Sequence, residues 1–128
     1  MAAYHEAGHA LVGLILKVPF PSVDLTGLTF AFPYPLDERY IMCTLAGPLS
    51  EPSLRTSLDD DYDGLCPEVL EAYHQLRKWF DEETAAEQLE LYMQRTAEIL
   101  EAHWLRVERI ANALLERTRL SRRDLNLF

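Results

Sequence analysis

The chain has 128 residues, 48% of them hydrophobic and 26% charged, with a formal net charge of −9. That length and apolar fraction predict one globular domain over residues 1–128, large enough to bury a real core. The acidic balance excludes a nucleic-acid backbone as an expected partner, because no basic face offsets it. Arg117, Arg119, Arg122 and Arg123 read as a solvated helix end favoured by the macrodipole. The two cysteines, Cys43 and Cys66, lack C-x-x-C spacing, which points away from a disulfide framework and towards a reduced, cytoplasmic setting. No run reaches the roughly 18–20 apolar residues of a membrane span.

The first predicted helix runs from about Ala2 to Val18, stopped by Pro19 and Pro21. It contains Tyr4-His5-Glu6-Ala7-Gly8-His9-Ala10, an H-E-x-x-H motif. Residues four apart share a helix face, so His5 and His9 can aim two imidazoles at one metal ion, with Glu6 one step round as a base. Zinc hydrolases need neutral nitrogen ligands, an open coordination position and a nearby base, and this pattern supplies two ligands and the base. The motif fixes only three positions, and a buried helix with two hydrogen-bonded histidines would also carry it. The rest of the segment is apolar almost all round, so its polar side chains need partners. Gly8 costs about 1 kcal/mol relative to Ala in a helix, which marks close approach of another backbone.

Val23, Leu25, Leu28, Phe30 and Phe32 predict a short hairpin or two edge strands, with Thr26-Gly27 as turn or bulge. A strand near Leu28 to Phe32 could pair with an extended peptide. Pro33 and Pro35 end it. A helix follows from about Asp37 to Leu49, then an acidic, loop-like stretch from Glu51 to Asp63. A third helix carries Val69, Leu70, Tyr73, Leu76 and Phe80. Thr84-Ala85-Ala86-Glu87 reads as a capping box opening one long helix through Leu114, and Ser121-Arg122-Arg123-Asp124 as another for a short terminal turn. The expected fold class is mostly α with a small β element (α+β).

The chain resembles the peptidase domain of the FtsH-type AAA+ zinc metalloproteases. The resemblance is carried by residues Tyr4 to Gly13, by Ala46-Gly47-Pro48-Leu49-Ser50-Glu51, and by the stretch from Trp104 to Ser121. It implies a zincin-like domain with Zn²⁺ as cofactor, cleaving peptide bonds in peptide or unfolded protein substrates. In that family an aspartate at the start of a helix is the third zinc ligand. The matching region here is Ser57 to Asp63, and Asp61, followed by the apolar Tyr62, fits best; Asp60 comes next, and Glu51 is a further candidate. Gly64 and Pro67 depart from the family's continuous helix, and no ATPase module or membrane helix precedes the motif in this sequence. The expected protein is therefore a free-standing relative or one part of a longer chain. A homo-oligomer and a separate ATPase partner both stay open. The alternative is a catalytically inactive helical protein-interaction module built on the same fold.

Overall fold

The structure, a computed structural model, describes residues 2–33, 35–51 and 67–128. Within them the chain forms six helices and a two-stranded antiparallel sheet. In chain order these are α1 (Ala2–Ile15), β1 (Ser22–Asp24), α2 (Glu38–Leu49), α3 (Pro67–Trp79), α4 (Glu82–Ala102), α5 (Trp104–Arg117), β2 (Arg119–Ser121) and α6 (Arg122–Leu125). No helix among the described residues is long and apolar enough to cross a membrane.

α1 is the centre of the domain. Its residues 6–13 are all buried, and it packs mainly between α2 and α5. The small residues of both helices let α1 and α2 meet closely: a Cβ at Gly8 would overlap Ser50 Oγ and come 2.5 Å from the Ala46 carbonyl. Ser50 uses that same carbonyl, donating from Oγ at 2.6 Å. The helix ends at Ile15, three residues before the sequence-based boundary at Val18. The reason is a Schellman closure: Lys17 takes a left-handed φ of 60°, Val18 N–H reaches the Gly13 carbonyl, and Lys17 N–H reaches that of Leu14. The chain has already turned before Pro19.

The predicted hairpin is the main departure in the β element. β1 pairs not with residues 28–32 but with β2 at the far end of the chain, in the register Ser22↔Ser121, Val23↔Leu120, Asp24↔Arg119. Asp24 accounts for the difference. Its Oδ1 accepts from Thr26 N–H, Thr26 Oγ1 and Gly27 N–H, curling the chain into a turn that leaves a single bridge between Asp24 and Gly27. The segment 28–32 therefore forms no strand, and the edge proposed for peptide pairing is absent there. Arg122 ties the two chain ends together, donating to the Val18 carbonyl at 2.6 Å while its guanidinium lies over the Phe20 ring. That arginine is thus a structural clasp rather than only a solvated charge.

The long C-terminal helix is also two helices. Asp81, not Thr84, caps the start of α4, accepting from Thr84 N–H. At His103 the backbone leaves helical geometry (φ −117°, ψ 22°) and α5 begins. The break has a packing reason: α4 lies on α2 whereas α5 lies on α1, and one straight rod could not serve both. Trp104, the first residue beyond the break, stacks on Tyr4 of α1 with ring centroids 5.8 Å apart. The terminal capping box is formed as expected, with Ser121 and Asp124 exchanging side-chain and backbone bonds.

Candidate metal centre

Helical geometry brings His5 and His9 to one face of α1, with their Nε2 atoms 3.2 Å apart. Each ring's other nitrogen is anchored separately. His9 Nδ1 lies 2.7 Å from the Cys43 carbonyl of α2, and His5 Nδ1 lies 2.8 Å from Glu51 Oε1, just past the end of α2. Both anchors are acceptors, so each Nδ1 carries a proton and each neutral ring presents a lone pair at Nε2.

Glu68, in the first turn of α3, meets those same Nε2 atoms. Its Oε1 is 2.5 Å from His5 Nε2 and its Oε2 is 2.8 Å from His9 Nε2. With both rings neutral, two imidazole lone pairs and a carboxylate aimed at one point would be three acceptors without a donor. Only protons or a metal cation make that arrangement favourable. The donor set therefore fits a divalent ion such as zinc. The 3.2 Å nitrogen spacing also matches the roughly 3.3 Å that separates two ligand nitrogens on a tetrahedral zinc.

Glu6 stands beside the pair, largely buried, with Oε1 3.9 Å from His5 Nε2. His5, Glu6 and His9 offer ligand atoms that all lie within 4.8 Å of one another. Burial raises the Glu6 carboxyl above its ordinary range; His9 and His5 oppose that rise, while Glu68 and Asp24 add to it. The turn at Asp24–Gly27 closes this side, since a Cβ at Gly27 would come 3.9 Å from Glu6 Oε2. On the other side Phe30 presents its ring at a steep angle to His9, 6.4 Å between centroids, and packs against Phe20 and Phe32.

For His5, burial by itself would lower the pKa. The Glu68 hydrogen bond and charge, with the Glu51 hydrogen bond and the Glu6 charge, outweigh it and bring the imidazole up to about 9. Glu68 is opposed by its own burial but held down to about 2 by its bonds and charge interactions with His5 and His9. Cys43 contributes its backbone only. Burial pushes its thiol up to about 12, so it is a protonated core side chain at neutral pH.

The structure thus brings together His5, Glu6, His9 and Glu51 from the sequence-based set, but puts Glu51 on the Nδ1 side of His5, away from the converging nitrogens. Asp61 and Asp60 lie outside the described residues. Sequence reasoning missed Glu68. The criterion that selected Asp61 was an aspartate at a helix start followed by an apolar residue; Glu68 before Val69 meets it only once glutamate is admitted as well. Pro67, a favoured first helical residue, marked that start. No protein-family model matches the chain, and no curated protein matches it.

Proposed function

We propose that the protein is a zinc-dependent metallopeptidase with a zincin-like, FtsH-type peptidase fold, hydrolysing peptide bonds in peptides or unfolded protein segments. One observation carries the reading: the Nε2 atoms of the two H-E-x-x-H histidines converge at 3.2 Å with their Nδ1 atoms already committed to acceptors. That is the tautomer and orientation a metal-ligating histidine requires. The mostly helical architecture and the motif's placement on a buried central helix are consistent with the same reading.

His5 and His9 would hold the ion. When bound, zinc supplies a Lewis acid that acidifies water and polarises the scissile carbonyl. Glu6 takes the proton of the attacking water on its carboxylate and returns it to the departing amine nitrogen. Its burial suits that exchange, because a raised carboxyl pKa brings acid and base forms nearer the working pH. The Cys43 carbonyl and Glu51 keep both rings aimed inward through the cycle.

The test compares wild type with Glu6→Gln and His9→Ala, using zinc content by emission spectroscopy and hydrolysis of an unfolded, casein-type substrate. Wild type should hold about one zinc per chain, and His9→Ala should lose it. Glu6→Gln should retain zinc and lose about 10²-fold or more of the activity, since positioned acid–base catalysis contributes about 10²–10⁴. A folded wild type that takes up no zinc, or Glu6→Gln as active as wild type at matched zinc, would overturn the reading. Zinc-loaded wild type that cleaves nothing would favour the inactive interaction module.

A further inference from the structure

We infer that Glu68 is the third protein ligand of the metal, and that Glu51 is not a ligand but the residue that holds His5 in place. The inference rests on the zinc reading above and extends it to carboxylates that the motif does not contain.

The two carboxylates approach the same imidazole from opposite sides. Glu51 meets His5 at Nδ1, whereas Glu68 meets it at Nε2. A ring cannot offer both nitrogens to one ion. Since His9 Nδ1 is bound to the Cys43 carbonyl, the shared site lies where the Nε2 atoms point. Of the two, only Glu68 reaches that place, and it does so with both oxygens, one on each histidine.

α3 is built to deliver it. Pro67 opens the helix, Val69, Ala72 and Leu76 bury its inner face, and α2 and α4 pack against it. Glu68 is adjacent to the buried Val69, so its backbone position is fixed by core packing. Sitting in the first turn, its carboxylate is also favoured by the helix dipole. Around a tetrahedral zinc a carboxylate oxygen and a histidine nitrogen stand roughly 3.3 Å apart. Accepting the ion therefore asks Glu68 to withdraw by well under the length of a bond, and its side chain is 29% exposed. Glu51 matches the carboxylate–histidine pairing by which an outer residue orients a metal ligand and raises its basicity.

The experiment uses the full chain, stripped of metal and titrated with zinc against a chromophoric chelator, with cobalt(II) as a visible probe of the ligand set. Glu68→Ala and Glu68→Gln should weaken zinc by more than the 10–100-fold typical of an outer partner, and should change the cobalt spectrum. Glu51→Ala should cost about 10–100-fold with the cobalt spectrum unchanged, and Glu51→Gln should recover most of that loss. Asp61→Ala should bind like wild type. Circular dichroism identifies any unfolded variant, and the near-isosteric Glu68→Gln keeps the test decisive if Glu68→Ala does not fold. Wild-type affinity and spectrum in Glu68→Gln, or a change of spectrum in Asp61→Ala or Glu51→Ala, would overturn the assignment while leaving the zinc reading intact. A wild type that binds neither zinc nor cobalt would overturn both.

Discussion

Gly47 of α2 faces His9 of α1 so closely that a Cβ at position 47 would overlap the imidazole, and it would stand 2.6 Å from His5 Nε2. The missing side chain is what allows both rings to share one small space. Gly47→Ala should gain up to about 1 kcal/mol of helix propensity. The added methyl must push aside rings that are tethered at Nδ1. We expect a chain that stays folded, with a melting midpoint near wild type, but with zinc affinity reduced at least tenfold. Titration against a chelator checks this; unchanged affinity would mean that the rings move aside freely.

The metal-free protein should show a distinctive pH profile. His5 rises from 6.5 to about 9 through Glu68, so its contribution to stability is complete below about 6.5 and is lost as pH climbs through about 9. Glu68 falls from 4.5 to about 2, so its contribution is complete above about 4.5 and is lost as pH drops through about 2. The pair therefore stabilises the metal-free fold most between those limits, near pH 5–6. Thermal midpoints of metal-free protein should decline from pH 7 to pH 10, and zinc should flatten that decline by replacing the proton. Zinc uptake at pH 7.5 should also release about one proton from His5, visible as a buffer-dependent heat in calorimetry.

Thr96 of α4 is fully buried, and its Oγ1 has no hydrogen-bond partner among the described residues. A buried hydroxyl left unpaired costs about 1–3 kcal/mol. Thr96→Val keeps the shape and removes the polar atom, so it should stabilise the protein by about 1 kcal/mol and raise the thermal midpoint by roughly 3–5 °C. Urea denaturation measures the difference directly. A destabilised variant would mean that the hydroxyl is paired in solution.

Much of the site was legible in the sequence because it is local. The i, i+4 spacing places His5 and His9 on one face whatever surrounds α1, and Gly8 in an apolar helix signalled the close crossing that Ser50 and Ala46 make. The terminal capping box was readable for the same reason, its partners being three residues apart. Other local patterns misled. The alternation from Val23 to Phe32 is a strand pattern, but the side chain of Asp24 captured the turn before a second strand could form. The apolar periodicity from Leu89 to Leu114 runs unbroken through His103, because the pattern records which face is apolar and not which helix it faces.

By itself, the sequence determined a mostly helical domain and the pair of histidines with their adjacent glutamate, since helix periodicity needs no more than one turn of chain. The tertiary structure decided which carboxylate serves which nitrogen. Glu51 and Glu68 stand 46 and 63 residues beyond His5, on different elements, and their roles follow from the direction in which the end of α2 and the start of α3 arrive at α1. It also decided that β1 would pair with β2 rather than with its neighbour. Strand pairing is a contact between distant segments, and its partner is chosen by packing that no local pattern encodes.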